Sequence, residues 1–265
     1  MRSTHTQAMP RSILLFLLSF LLIGIASCSK ENSKNGDPDK SAKTAEPTSY
    51  VVLIVAGYDS DPSPDQIAGK SSRGLGNSGM FQLKGDLETK GIDCKFFNWN
   101  GTSAGKINQK SPPGDAGIES WIRTRIKERP GTRFVSIGHS WGAHTLFDAA
   151  TKIGDSESSR FPLTILLDPS SALRGGNPTK VPDCFGNVVN YHTGNLFCWG
   201  ALEIENQVKN IFLGDPKNNF MKNVIPNYSS TFDIDAHNAA EWDPNIHSDM
   251  TLRILKIVDN DEQTN

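Results

Sequence analysis

Three things are scarce in this 265-residue sequence, and each scarcity removes a class of protein. The first is an excess of charge of one sign. Lys and Arg number 27 against 29 Asp and Glu, a net charge of -2, whereas a nucleic-acid binder carries a basic excess or stripe. No nucleic-acid partner is expected. Cysteine is the second, four in all, with no spacing of the metal-ligand kind. The third is the long apolar run: the single extended one, residues 13–26, is shorter than the roughly 20 residues of a permanent membrane helix. What the sequence does have, 37% hydrophobic residues and 13 Phe, excludes an intrinsically disordered chain.

Arg2 and Arg11 precede that apolar run and Ala26, Ser27 and Cys28 close it, the layout of an export signal. Ile25-Ala26-Ser27-Cys28 resembles the lipobox of bacterial lipoproteins, in which a diacylglyceryl group is attached to the cysteine and the chain is cut in front of it. The resemblance implies lipidation at Cys28 and a place in the cell envelope, lipid-anchored at the outer membrane or its periplasmic face, or secretion where Cys28 is not acylated. Ser29, in place of Asp, resembles the outer-membrane pattern. Each buried methylene of such an anchor contributes about 0.8 kcal/mol, enough in two or more chains to hold a domain on a membrane. Residues 1–27 are therefore expected to be a signal peptide and 28–49 a flexible tether. From Ser29 to Ser49 there is no Val, Ile, Leu, Phe or Tyr, so nothing offsets the entropy of ordering. Residues 50–265 are left for one folded domain. In an oxidising compartment Cys184 and Cys198 are the expected disulfide.

Tyr50 to Ala56 is a β-branched run ended by Gly57, the pattern of a strand buried on both faces. Strands are also expected at Ile92 to Trp99, Thr132 to Gly138 and Leu163 to Leu167. Helices alternate with them at Met80 to Lys90, Ala116 to Glu128 and Ala143 to Ile153. Regular alternation implies an α/β fold, a mostly parallel central sheet with helices on both faces and a site beyond the carboxyl ends of the strands. Past Asp168 the rhythm loosens. Val188 to His192, Val208 to Leu213 and Thr231 to Ala236 read as strands, and Met250 to Val258 as a closing helix that Ser248 or Asp249 caps.

Gly138-His139-Ser140-Trp141-Gly142 falls where a hydrophobic strand turns into a helix. Glycines two residues either side of the serine let strand and helix approach without Cβ clashes. Ser140 is the expected nucleophile. A serine hydroxyl needs a base to take its proton, and the base needs a carboxylate to fix its tautomer. Asp168 follows the next buried strand and is the expected acid, with Asp215 in reserve after Ile211-Phe212-Leu213. Of the six histidines, His5, His139, His144 and His192 are set aside by position. His247, in the loop before the closing helix, is the expected base, and His237, directly off a strand, is the other candidate.

The elbow together with Leu167-Asp168-Pro169 resembles the α/β-hydrolase superfamily, in particular its lipase branch. That resemblance implies a backbone oxyanion hole formed by Trp141 N–H and by Gly57 or Tyr58 after the first strand. It further implies a serine hydrolase acting on small-molecule or lipid acyl esters, or thioesters, without metal or organic cofactor. An amidase or peptidase on the same fold and a non-catalytic binding lipoprotein are the rival readings. Within the Gly-rich stretch after Tyr58, the charged set Asp59, Asp61, Asp65, Lys70 and Arg73 reads as a solvated flap before a calcium site. Trp99 and Trp141, near strand ends, line either an acyl pocket or the core.

Overall fold

The computed structural model describes residues 49–58, 60, 62–70, 77–100, 116–154, 160–170, 177–195, 198–204, 207–225 and 234–262. The expected signal, Cys28 and the tether up to residue 48 lie outside the described residues, as do Asp59, Asp61 and Arg73.

Among the described residues six strands form one sheet: β1 (Ser49–Val55), β2 (Cys94–Phe97), β3 (Thr132–His139), β4 (Phe161–Leu167), β5 (Phe185–His192) and β6 (Val208–Phe212). Their order is β2-β1-β3-β4-β5-β6 and every pairing is parallel. Helices α1 (Pro64–Ile67), α2 (Gly79–Glu88), α3 (Ala116–Glu128), α4 (Trp141–Ile153), α5 (Ile234–Ala240) and α6 (Pro244–Glu262) complete the elements. This is an α/β arrangement, a parallel sheet with helices packed on both faces.

Burial on both faces explains why β1 reads as an unbroken apolar run from Val51 to Val55. Val52 and Ile54 of β1 point to the face where Leu83 and Leu87 of α2 and Ile246, Met250 and Ile254 of α6 pack. Val51, Leu53 and Val55 point the other way, onto Ile118 and Ile122 of α3 and Leu146 and Ile153 of α4. The period-two alternation of a strand thus feeds two cores rather than a core and solvent.

Three expectations are corrected. The strand read over Thr231 to Ala236 is not one: residues 234–240 are α5, and 231–233 lie outside the described residues. Ala236 and Ala240, one helical turn apart, are both fully buried, so the segment follows a helical period with small residues against the core. The closing helix begins at Pro244, not Met250, and its cap is Asp243, whose Oδ1 accepts from Asn245 N (2.7 Å) and Ile246 N (3.1 Å). Cys184 and Cys198 form no disulfide. Both are free, with the Cys184 thiol donating to Ala150 O across 3.4 Å.

Candidate active site

Ser140 occupies the single residue between β3 and α4, at φ 53° and ψ -127°, in the left-handed half of the map that a side chain disfavours. The turn is tight enough to require both flanking glycines. A Cβ on Gly138 would sit 2.5 Å from Ala143 Cα, and one on Gly142 would sit 2.3 Å from Val55 O. Ser140 N donates to Leu167 O (3.1 Å), which ties the turn to the end of the neighbouring strand β4. Asp168 comes next in the chain, at φ 41° and completely buried, so adjacent strands deliver Ser140 and Asp168 to the same end of the sheet.

His237, in the last turn of α5, lies between them. Its Nε2 is 2.8 Å from Ser140 Oγ and its Nδ1 is 2.7 Å from Asp168 Oδ2. Asp168 also accepts from Thr193 N and Thr193 Oγ1, each at 2.8 Å, and from the Cys198 thiol at 3.3 Å. Burial alone would push the Asp168 carboxyl up. The bond and charge of His237 and the two Thr193 bonds outweigh burial and hold it below its ordinary value. An ionised carboxylate only accepts, so the His237 hydrogen belongs on Nδ1, leaving Nε2 with a lone pair facing the serine hydroxyl.

The histidine expectation is therefore corrected: the structure brings His237, not His247, to Ser140. His247 sits inside α6, buried, and its Nε2–H donates to Glu241 O at 2.7 Å. Reading Asp243-Pro244 as an N-cap and N1 pair would have put His247 into a helix body and left His237 as the base. Asp215 is likewise spent elsewhere, accepting from Lys217 N (2.9 Å) in the turn after β6.

Trp141 is the first residue of α4, where backbone N–H groups have no carbonyl one turn behind them. Gly57 begins the turn after β1 close against Ser140, since a Cβ there would lie 2.7 Å from Ser140 Cβ. Tyr58 follows, its ring 59% exposed and packed against Trp141 (centroids 5.0 Å apart) and Trp99 (5.4 Å). These three rings form an aromatic wall beside the serine, in which Trp99 is buried and Tyr58 faces outward.

Two further residues escaped the sequence reading. His139 stacks on His237, and Glu241 Oε2 lies 3.8 Å from His139 Nδ1. Burial, and then the neighbouring His237, lower the His139 ring to about 3, while burial raises the Glu241 carboxyl to about 8. Both shifts favour the uncharged form of each group. Asp168, Cys198 and His237 also bring three metal-ligand atoms within 4.8 Å of one another.

No protein-family model and no curated protein matches the chain. Among solved structures it is similar to a cutinase-like protein from Cryptococcus sp., at 15% identity and a TM-score of 0.42 over 77% of this chain and 91% of that one. It is also similar to an acetylxylan esterase, at 16% identity and a TM-score of 0.42 over 81% and 98%.

Proposed function

We propose that this chain is an exported serine esterase that cleaves carboxylic esters through an acyl-enzyme. The observation that carries the reading is the unbroken series Ser140 Oγ, His237 Nε2, His237 Nδ1, Asp168 Oδ2, with links of 2.8 and 2.7 Å on a strained strand-to-helix turn. As Ser140 Oγ bonds to the ester carbonyl carbon, its proton passes to His237 Nε2 and the carbonyl electron pair moves onto oxygen. Trp141 N–H, with Gly57 or Tyr58 N–H, receives that negative charge. Collapse breaks the bond to the alcohol oxygen, which takes the proton back from Nε2. A water molecule then gives one proton to Nε2 as its oxygen bonds to the acyl carbon; the bond from that carbon to Ser140 Oγ breaks, Oγ takes the proton back from Nε2, and the acid leaves. Throughout, Asp168 holds the ring and stabilises the imidazolium.

The substrate is a small or lipid acyl ester, taken against the wall of Tyr58, Trp99 and Trp141. The chain's place in the envelope, through an acylated Cys28, rests on its first 28 residues. Two measurements test the reading. A fluorophosphonate probe should label Ser140 and no other serine, and p-nitrophenyl esters should be hydrolysed faster than the matching anilides, with Ser140→Ala removing both reactions. Absence of labelling and of ester hydrolysis in the purified protein overturns it.

A further inference from the structure

Cys198 is a thiol placed against the acid–base bond. Its Sγ is 3.3 Å from Asp168 Oδ2 and 3.4 Å from His237 Nδ1, and those two atoms are 2.7 Å apart. The ester reaction described above does not use it. The strand end and the loop hold it in place: Cys198 forms a β-bridge with Ser170, its N–H donates to Asn195 O (3.0 Å), and Trp199 N donates to Pro169 O (2.7 Å). The thiol is thus fixed to the backbone that carries Asp168.

We propose that Asp168 Oδ2, Cys198 Sγ and His237 Nδ1 form an inhibitory site for a zinc-type divalent ion. Thiolate, imidazole and carboxylate are the donors that zinc takes, at about 2.3, 2.0 and 2.0 Å, and a tetrahedron with those bonds has edges of about 3.3 to 3.6 Å. The two edges that involve sulfur already stand at 3.3 and 3.4 Å. Only the oxygen–nitrogen edge, now a hydrogen bond of 2.7 Å, must open. Cys198 is partly exposed whereas Asp168 is completely buried, so the ion approaches from the sulfur side.

Binding switches the base off by moving one hydrogen. The thiol proton leaves to solvent as the sulfur–metal bond forms. The ion takes the lone pair of Nδ1, so the ring hydrogen moves to Nε2. There it donates to Ser140 Oγ, and the serine keeps its proton. No electron transfer is involved, and a chelator reverses every step.

The inhibition rests on the esterase reading, while the ion site does not, and the test separates them. The full chain is titrated with Co²⁺ alone, whose bond to a thiolate gives a near-ultraviolet charge-transfer band. One equivalent should saturate the band and Zn²⁺ should displace it. Cys198→Ala should abolish it, and Cys94→Ala and Cys184→Ala should keep it. Ester hydrolysis is then followed in buffered Zn²⁺, each variant against its own zinc-free rate. The unaltered chain should be inhibited at concentrations at least tenfold lower than Cys198→Ala, and EDTA should restore it. Absence of the band, its persistence in Cys198→Ala, or equal zinc sensitivity in the two proteins overturns the proposal. A Cys198-dependent band in a chain that hydrolyses no ester keeps the ion site and overturns the esterase reading alone.

Discussion

The rings of His139 and His237 lie stacked, centroids 5.0 Å apart and planes 29° from parallel. His139 is almost wholly buried and, with its ionisation pushed down to about 3, presents a neutral flat face to the proposed base. It acts as a positioning residue, keeping His237 in the plane that reaches both Ser140 and Asp168. Truncation to Ala leaves a cavity beside the base, which costs about 2–5 kcal/mol in stability and, through misplacement of the ring, lowers kcat by up to about 100-fold. His139→Phe restores a flat buried ring without its nitrogens and should recover most of the rate. If Phe is as slow as Ala while folding normally, the nitrogens and not the face do the positioning.

The two histidine candidates separate cleanly by mutation. His237→Gln removes the lone pair at Ser140 and should lower kcat/KM by about 10⁴-fold. His247→Gln can still donate to Glu241 O, so its hydrolysis rate should stay within a few fold of the parent and its stability should fall by about 1 kcal/mol. Steady-state hydrolysis and urea unfolding of the two variants check this, and a reversed order of activities contradicts the role given to His237.

The contrast between these histidines shows what a sequence makes legible. The sheet could be read because residues 50–56, 132–138 and 163–167 are buried on both faces and so are mostly apolar, with Ser136 and Thr164 bonded to each other inside. Ser140 and Asp168 could be read because each sits at the end of such a run. The base does not. α5 is seven residues long, and its burial rests on Ala236 and Ala240, which carry little hydrophobic signal. Thr193, Cys198, His139 and Glu241 enter the site through contacts between segments far apart in the chain, for which no local pattern exists.

Thr193 holds the Asp168 carboxylate through its side chain as well as its backbone. Thr193→Val keeps the shape and removes the Oγ1 bond to a buried carboxylate, a loss of about 1.5–3 kcal/mol at neutral pH. The sign of the pH dependence follows from the depressed ionisation of Asp168. Its contribution is fully present above the unfolded value of 3.8 and is lost as pH falls through the lower folded value. Weakening the site raises that folded value, so acid unfolding of Thr193→Val should begin at higher pH. The stability gap between variant and parent should close once Asp168 is protonated in both. Urea unfolding followed from pH 7 down through the onset of acid unfolding checks it. Onsets at the same pH in variant and parent would mean that the Thr193 hydroxyl does not act through the carboxylate.

Glu241 carries the opposite sign. Burial raises its carboxyl from 4.5 to about 8, against the opposing bonds from Ser60 Oγ and from the backbone of Met80 and Gly79 at the start of α2. The folded chain therefore holds a proton that the unfolded chain releases above 4.5. Stability from this group is fully present below that value, declines as pH rises toward about 8, and levels off beyond it. The decline has a slope of up to about 1.4 kcal/mol per pH unit. His139 offers no compensation, because its ring stays neutral across that range. Glu241→Gln cannot ionise and keeps a polar side chain at the start of α2. The parent should therefore lose stability relative to Glu241→Gln steadily between pH 5.5 and 8, and the difference should become constant above that. Parallel urea titrations measure it directly. A difference that does not change with pH would show that the helix N-terminus and Ser60 hold Glu241 ionised beside the stacked histidines.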